Sequence, residues 1–345
     1  MPSFRAGTVT EVLAARAGLQ RVLVRPDAGG EPERAYVLTA LTGPVAPGDE
    51  VVVNTTAVDL GLGTGGWHVV HWNLSRRSWS EPGPGHIVKL RYTSLQADTG
   101  AAEEDHGGIP PALPGTPVVA CSLHSQVPGV AVTVKHLRPD ARVAYVMTDG
   151  AALPLALSDL VAAMRDAGVV DGTVTAGHAF GGDLEAVTVP SALTLAAHVL
   201  RADVVVVAMG PGVVGTGTAL GTTAIEVASL IDATEALGGR PVACMRVSDS
   251  DTRARHRGVS HHTLTALRLA RASATLAALP GLLDVTDVPS RHGVAVVEGG
   301  PDVAALLAER GLHVTTMGRG PDREPRFFAA CGAAGAVAAG LLGRS

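Results

Sequence analysis

The chain is poor in aromatic side chains, which make up 3% of its 345 residues. Its hydrophobic fraction is nevertheless 46%, so Val, Ala and Leu must fill the interior. Small aliphatic residues are typical of parallel sheets that are covered by Ala-rich helices. A hydrophobic fraction of this size excludes a disordered chain, and the length favours two domains over a single core.

A strong charge, paired cysteines and a targeting segment are also lacking. Charged residues are 17% of the chain and the formal net charge is −5, which argues against nucleic acid or an anionic membrane as a partner. The three cysteines are an odd set, and Cys121 and Cys244 stand in apolar runs, so we expect buried thiols. The first residues have no apolar signal core, and the tail at 329–342 is too short to span a bilayer. We therefore expect a soluble, cytoplasmic protein whose tail forms a helix docked on the core.

Several local signatures of enzymes are missing from the sequence. It has no G-x-S-x-G nucleophile elbow, no CxxC pair, no P-loop and no HExxH. Each of these motifs places a nucleophile, a thiol pair, a phosphate cradle or two zinc ligands at a fixed spacing. Their absence excludes the enzyme classes that depend on them.

The first 96 residues are predicted to form a small β-rich domain. Six short segments with alternating polarity lie between residues 5 and 96, the last of them HIVKLRYT at 86–93, and turn residues separate them. This spacing predicts an antiparallel barrel or sandwich without a helix. The stretch at 97–117 is rich in Gly, Pro and acidic residues, which is typical of a linker.

Residues 118–345 are predicted to form a doubly wound α/β domain with a mostly parallel sheet. Apolar strand-like runs alternate there with segments of helical periodicity, which is typical of helices on both faces of a sheet. The predicted strands lie at 118–122, 142–148, 172–176, 202–209, 241–247, 293–297 and 313–316. The predicted helices lie at 157–167, 191–201, 223–237 and 303–310.

Polar side chains follow five of these strands. In an open parallel sheet, ligands bind beyond the carboxyl ends of the strands, where loops and helix N-termini meet. Asp and Ser also cap helices, so each residue alone has a structural alternative. The candidates are Ser122 and His124, Thr148 and Asp149, His178 with Asp183 and Glu185, the glycines at 210–217, and Ser248, Asp249 and Asp251.

The run GPGVVG at 210–215 matches the dinucleotide pattern G-x-G-x-x-G directly after a strand. The glycines continue to Gly217 and Gly221, and no acidic residue ends a strand about twenty residues later, so we do not expect NAD as a cofactor. We interpret the run as a backbone N–H cradle for an anion, with a wide turn as the alternative. Its binding residues would be Gly210, Gly212, Gly215, Thr216 and Gly217.

The most polar stretch of the chain is at 246–263. Arg255, Arg257 and His262 could bind a phosphate or carboxylate at the N-terminus of a helix. Zinc is an alternative, but His261 and His262 point about 100° apart on a helix, which argues against a shared ion. A surface network of Arg and Asp ion pairs is the structural alternative.

A metal half-site is conceivable at His178, Asp183 and Glu185, with Asp249 as a further ligand candidate. Oxygen ligands with one imidazole suit magnesium, manganese or iron better than structural zinc. The structural alternative is a glycine turn followed by an Asp cap. The sequence therefore leaves open a divalent metal as cofactor and does not assign its identity.

Several long and unusual strings stand along the chain. They are NTTAVDLGLGTGGWHVV from Asn54, GHIVKLRYT from Gly85, YVMTDGAALP from Tyr145, GHAFGGDLEAV from Gly177, MGPGVVGTGTALG from Met209 and RHRGVSHHT from Arg255. These strings resemble a bacterial family known as domain of unknown function 3866. The resemblance covers nearly the whole chain and implies no activity. One departure is at the linker, where the family has a His pair after the two glutamates and this chain has Asp105 and His106.

These patterns favour an enzyme that acts on a small anionic or phosphorylated metabolite by hydrolysis or group transfer. Asp149, His178, Asp183 and His261 would supply acid/base groups or hold a divalent cation. The alternatives are a non-catalytic sensor that uses the same crevice, and an oligomeric scaffold; a homo-oligomer is compatible with each reading. Histidines within reach of one another would favour catalysis, and histidines that pair separately with backbone would favour sensing.

Overall fold

The structure is a computed structural model that describes residues 2–281 and 287–343. The chain divides into two compact units, Met1–Gly100 and Ala101–Ser345. Each unit has a hydrophobic core of its own among the described residues.

The smaller unit is a closed five-stranded barrel with the strand order β1-β2-β3-β5-β4. Alternate residues of its strands, such as Val22, Val24 and Val37, point inward and form the core. The predicted β-rich barrel is therefore confirmed. Its strands are β1 Phe4–Arg16, β2 Leu19–Pro26, β3 Glu33–Leu38, β4 Glu50–Asn54 and β5 His68–Asn73, with one-turn helices α1 Thr39–Thr42 and α2 Thr56–Asp59.

Three details of this unit differ from the sequence-based expectation. Strands β3 and β5 pair in parallel, whereas an antiparallel arrangement was predicted. Short helices α1 and α2 occur where none was predicted. The predicted sixth strand at 86–93 is reduced to the two-residue strand β6 Val88–Lys89, which pairs with β7 Ala97–Asp98 apart from the barrel. Leu90 and Tyr92 adopt positive φ angles of 55° and 63°, which interrupts an extended strand.

The larger unit contains an eight-stranded sheet in which every described pairing is parallel. Its strand order is β11-β10-β9-β12-β8-β13-β16-β17. The strands are β8 Pro117–Cys121, β9 Val143–Thr148, β10 Gly172–Ala176, β11 Leu184–Ala186, β12 Val204–Met209, β13 Arg240–Cys244, β16 Thr275–Ala278 and β17 Gly293–Val296, and a separate hairpin consists of β14 Val247–Ser248 and β15 Gly258–Val259. The helices are α3 Ala102–Asp105, α4 Val127–Leu137, α5 Asp159–Asp166, α6 Val189–His198, α7 Glu226–Ala236, α8 His261–Leu269, α9 Val303–Glu309 and α10 Pro325–Leu341.

Helices cover both faces of this sheet, so the predicted doubly wound α/β fold is confirmed. Burial on both faces of the sheet explains why β12 contains an unbroken run of Val. Val205 and Val207 pack into one apolar cluster, and Val204 and Val206 pack into the other. Helices α4, α5 and α9 contribute to the second cluster, and α6, α7 and α8 to the first. Cys121, Cys244 and Cys331 are buried free thiols, as expected.

Some strands of the larger unit were predicted wrongly or missed. Residues 313–316 form no strand, since only an isolated bridge joins Thr316 to Arg319. The edge strand β11 and strand β16 have short, Ala-containing sequences that carry no clear period. Helix α4 was missed because its Val-rich sequence favours a strand, although Pro128 in its first turn is typical of a helix start.

The two ends of the larger unit pack against its helices. Residues 101–116, interpreted above as part of a linker, contact this unit: Leu113 N donates to Leu237 O at 2.6 Å and His198 Nε2 lies 2.8 Å from Ala112 O. The tail forms α10, whose small residues contact α4 closely. Within the described residues, no helix has both the length and the apolar character needed to cross a bilayer.

Candidate functional site

The carboxyl ends of five neighbouring strands lie level at one edge of the parallel sheet. Thr148 at the end of β9 is paired with Met209 at the end of β12, and Cys121 at the end of β8 is paired with Cys244 of β13 and with Ala208. In the fifth strand, β10, the second-last residue Thr175 is paired with Met147, the second-last residue of β9. The chain leaves β8 towards α4 on one face and leaves β12 towards α7 on the other. Adjacent strands with connections on opposite faces open a crevice, which is where open α/β sheets bind ligands.

Asp149 and His178 are brought together at this edge. The backbone N of His178 donates to Asp149 Oδ2 at 3.0 Å. The approach depends on Gly177, which has a φ of +66° and whose added Cβ would lie 2.3 Å from Asp149 Oδ2. The carboxylate therefore holds the loop after β10 in place at the strand ends.

Glu226 lies beside this pair and was missed in the sequence. It begins α7, and Thr148 Oγ1 donates to its Oε1 at 2.7 Å. Burial, together with the neighbouring Asp149 charge, raises the pKa of Glu226 to about 7, despite the Thr148 hydrogen bond. Such a carboxyl can give or take a proton near neutral pH. Its only signal in the sequence is an acidic residue soon after the glycine run.

The loop at 210–222 folds back on itself after β12. Thr216 N donates to Gly221 O at 2.7 Å, Thr223 N to Val214 O at 2.9 Å, and Val214 N to Thr223 Oγ1 at 3.2 Å. These backbone groups are thus occupied within the loop, which leaves fewer N–H groups for the predicted anion cradle. The loop instead places Gly215 against His262, and an added Cβ on Gly215 would lie 2.8 Å from His262 Cε1.

Three histidines converge on the other side of this loop. Hairpin β14–β15 returns the chain so that Ser260 N donates to Arg246 O at 2.8 Å, and α8 starts there with His261 and His262. The ring centroids of His256, His261 and His262 are 4.2 to 4.9 Å apart. One nitrogen from each ring lies within 4.8 Å of the others, and no other group of three His, Cys, Asp or Glu converges in this way among residues 2–281 and 287–343.

The expected 100° separation of His261 and His262 does not keep their rings apart. Both residues are in the first turn of α8, with Ser260 as the N-cap whose Oγ accepts from His262 N at 3.3 Å. Their imidazoles extend far enough from the helix axis for both rings to reach His256. The helical angle between adjacent positions constrains Cβ directions and leaves the ring positions to the χ angles.

The three imidazoles are neutral at neutral pH. Burial and the nearby Arg246 charge lower the pKa of His256 to about 4, and burial with the neighbouring His261 lowers the pKa of His262 to about 3. Burial and Arg255 also lower the pKa of His261. Nε2 of His261 and Nε2 of His262 are buried and have no hydrogen-bond partner among the described residues.

Arg246 adds a buried positive charge to this cluster. The residue is only 5% exposed, and its Nη1 lies 3.4 Å from His262 Nδ1. Its one ion-pair partner in the described part of the chain, Asp251, is 3.9 Å away and already accepts two hydrogen bonds from the Arg253 side chain. Burial lowers the pKa of Arg246 to about 10, so the guanidinium remains charged at neutral pH.

The sequence also matches a family. A family model described as "Protein of unknown function (DUF3866)" matches residues 34–335. The chain belongs to this family. The matched range includes Asp149, His178, Glu226 and the three converging histidines. A search of curated proteins finds no match to the chain.

In this DUF3866 chain, Asp183 and Glu185 are hydrogen-bonded to strand β10 and to the loop after it. Asp183 accepts from Arg165 Nη1 at 2.6 Å and from Thr173 N at 2.8 Å, at the start of β11. Glu185 accepts from Gly181 N and Thr175 Oγ1, both at 2.6 Å. The two carboxylates connect β10 to β11, and with His178 they form no three-ligand group among the described residues.

Other predicted residues of the DUF3866 chain also have structural partners. Asp249 accepts from Arg326 N at 3.1 Å and forms an ion pair with its side chain, at the start of α10. Arg257 Nε donates to Asp251 O at 3.0 Å, and Arg255 is exposed. His124 uses both ring nitrogens, with Tyr145 Oη at 3.0 Å and Ser158 Oγ at 2.7 Å, and burial lowers its pKa to about 4.

The loop after β13 is tied to α10 by a buried carboxylate. Glu324 is fully buried and accepts from Ser248 Oγ at 2.9 Å and from Asp249 N at 2.7 Å. The same loop leads to Arg246 and the histidines. Glu324 therefore fixes the segment that carries the cluster.

A cavity of about 640 Å³ lies at the opposite edge of the sheet. It is lined by residues at the strand starts, among them Pro117, Asp203 and Arg240, and by no histidine. The acid/base groups and the strand-end loops lie at the other edge. We therefore place the candidate site at the carboxyl ends of the strands.

Proposed function

We propose that this protein is an enzyme, a hydrolase or group transferase, that acts on a small anionic or phosphorylated metabolite at the carboxyl edge of the parallel sheet. The observation that carries the proposal is the buried guanidinium of Arg246, whose one ion pair among the described residues is with Asp251, a carboxylate 3.9 Å away that Arg253 shares. A buried charge without a close partner is costly. A bound phosphate or carboxylate would accept its fork of donors and remove that cost.

Acid/base groups near the same edge support catalysis over binding alone. Glu226 has a pKa of about 7 and so is poised to transfer a proton near neutral pH. Asp149 positions the loop of His178 through its backbone N. These groups would serve proton transfer, and Arg246 and the 210–222 loop would hold the anion.

The arrangement of the histidines favours an enzyme over a sensor. His256, His261 and His262 lie within ring-contact distance of one another, and two of their Nε2 atoms lack a partner in the described structure. A sensor has no need for converging, unpaired imidazoles. Catalytic sites commonly use such groups for acid/base or metal chemistry.

The anion site is tested by replacing Arg246 and measuring thermal stabilisation of the metal-free full chain by inorganic phosphate and pyrophosphate. Arg246→Met keeps the volume of the stem and removes the fork of donors, while Asp251 stays paired with Arg253. Arg268→Met on the exposed side of α8 is the matched control. Both anions are expected to raise Tm in the wild type and in Arg268→Met, and to leave Tm of Arg246→Met unchanged.

A panel of phosphate esters and carboxylate esters then tests turnover. Glu226→Gln is expected to reduce kcat about 100-fold or more, since general acid/base groups contribute about that much. Equal anion stabilisation in Arg246→Met and the wild type would refute the anion site. Turnover that is the same in Glu226→Gln and the wild type would refute the proton-transfer role.

A further inference from the structure

We propose that His256, His261 and His262 together bind one divalent metal ion of the nitrogen-preferring type, such as zinc, and leave its fourth position to the anionic group of the substrate. The metal site stands on the geometry of the cluster alone. The use of the fourth position rests on the proposed function.

The donor set determines the class of metal. Three imidazoles and no carboxylate suit zinc, copper, cobalt or nickel, whereas magnesium, calcium and manganese prefer oxygen ligands. Tetrahedral zinc with Zn–N bonds of about 2.0–2.1 Å separates its ligand nitrogens by about 3.4 Å. The cluster nitrogens already lie within 4.8 Å of one another, so small χ rotations close the site.

The unpaired nitrogens point to a missing ligand. His262 is only 3% exposed, and its Nε2 lies against Gly215 with no hydrogen-bond partner in the structure described. Nε2 of His261 is unpaired in the same way. Buried polar atoms are almost always satisfied, and a metal ion would satisfy both nitrogens at once.

His256 has a partner of the kind that metal-binding histidines use. Its Nδ1 lies 2.8 Å from Ser260 Oγ, which can accept from Nδ1–H. A protonated Nδ1 leaves the lone pair on Nε2, which is the state that a metal requires. His262 Nδ1 lies 3.4 Å from both Thr222 Oγ1 and Arg246 Nη1. Since a guanidinium can only donate, metal binding through His262 Nε2 requires that Nδ1–H pair with Thr222 and not with Arg246.

Arg246 explains why the fourth ligand would be an anion. A dication next to a buried guanidinium, with Nη1 at 3.4 Å from His262 Nδ1, is repelled unless negative charge is added. Asp251 supplies part of it at 3.9 Å. A hydroxide or a substrate oxyanion in the open position would neutralise the remaining positive charge. The metal would then polarise the bound oxygen.

The test is metal titration of the EDTA-treated full chain. Calorimetry with Zn²⁺ is expected to give one equivalent, and Co²⁺ is expected to give the intense visible absorption of four-coordinate cobalt. His261→Gln is expected to weaken Zn²⁺ binding about 100-fold or more; this residue is only partly buried, so the fold survives, which circular dichroism checks. His136→Ala, an exposed histidine on α4, is the control and keeps wild-type affinity.

If the wild-type protein alone bound less than one equivalent of Zn²⁺, the proposal would be overturned. Unchanged Zn²⁺ affinity in His261→Gln, or the weak absorption of six-coordinate cobalt, would also overturn it. Inorganic phosphate is expected to change the cobalt spectrum of the wild type. A four-coordinate cobalt site whose spectrum phosphate does not alter would overturn the use of the fourth position, and the metal site would stand independently of the proposed function.

Discussion

At the scale of single residues, the candidate site depends on contacts that only particular side chains allow. Gly215 permits His262 to lie against the 210–222 loop, and Gly177 permits Asp149 to bind the backbone of His178. Glu226 is held half-buried by Thr148. Each contact depends either on one side-chain group or on the absence of a Cβ atom at a glycine. A single substitution can therefore test each of them.

Gly215→Ala is expected to displace His262. The added Cβ would lie 2.8 Å from His262 Cε1, so the ring must move out of the cluster, and overpacking of this kind costs about 1–3 kcal/mol. We expect lower thermal stability and at least tenfold weaker Zn²⁺ binding by calorimetry. The control is Gly217→Ala in the same loop, where an added Cβ meets no atom within 4 Å. Equal Zn²⁺ affinities in the two variants would contradict the contact with His262.

Glu226→Gln is expected to change how stability depends on pH. The folded protein keeps the Glu226 proton up to pH about 7, whereas the unfolded chain releases it near 4.5. Stability therefore falls as pH rises from 4.5 to 7, and the raised pKa corresponds to about 3 kcal/mol over that window. The glutamine cannot ionise, so the variant should gain stability relative to the wild type as pH rises.

Urea unfolding at pH 4.5, 5.5, 6.5 and 7.5 measures this difference. Glu235→Gln, at an exposed position on the same helix α7, is the control and should follow the wild-type profile. A constant difference between Glu226→Gln and the wild type at all four pH values would show that the Glu226 pKa is not raised.

At the scale of elements, the strands that carry the site are fixed by packing and the edge strand by side-chain hydrogen bonds. Strands β9 and β12 are buried on both faces, and their continuous apolar runs made them predictable. Strand β11 has three residues and is joined to β10 through Asp183 and Glu185. A metal half-site stayed one of two alternatives for the polar residues of this edge, because the sequence does not show that Arg165 and Thr173 bind Asp183.

Asp183→Asn is therefore expected to affect stability and leave the site unchanged. Asp183 lies at the start of β11 and accepts from Arg165 Nη1 and Thr173 N. Loss of a partly exposed ion pair and its hydrogen bonds costs about 1 kcal/mol, measured by urea unfolding. Phosphate stabilisation and Zn²⁺ affinity should equal those of the wild type. Asp166→Asn, exposed at the end of α5, is the control for stability. A loss of phosphate or Zn²⁺ binding in Asp183→Asn would restore the catalytic reading of this residue.

At the scale of the whole molecule, two separate hydrophobic cores correspond to the two units. The barrel core contains residues such as Val22 and Val53, and neither apolar cluster of the larger unit includes a residue of the barrel. The change from alternating strands to a strand–helix pattern made this division predictable from the sequence. The level strand ends were predictable too, since parallel strands that follow one another in an α/β unit share one edge.

The convergence of the histidines could not be predicted at this scale. It requires hairpin β14–β15, two residues in each strand, to return the chain to Arg246, and it requires ring positions that depend on χ angles. Short strands and side-chain rotamers leave no periodic trace in a sequence. The burial of Arg246 could not be predicted either, because the sequence around it does not distinguish a buried arginine from an exposed one.

Val22→Ala is expected to weaken the barrel and spare the site. Val22 is fully buried in the barrel core, and truncation of a buried aliphatic side chain costs about 2–3 kcal/mol. Scanning calorimetry should show a lower transition for the barrel, while Zn²⁺ affinity stays at the wild-type value. The control is Val12→Ala, since Val12 is half-buried at the margin of the same core. This variant should lose less stability than Val22→Ala. Ala14→Gly is not a suitable control because glycine also changes the backbone. Zn²⁺ binding that falls with barrel stability would contradict the independence of the two cores.

The late position of Glu324 in the sequence affects when the histidine segment becomes ordered during synthesis. The carboxylate that fixes the loop after β13 is synthesised more than sixty residues later than the three histidines, although its partners Ser248 and Asp249 precede them. While the chain is still on the ribosome, the histidine segment emerges without its anchor. We therefore expect the nascent chain to bind the proposed metal ion only once the last helix has left the exit tunnel.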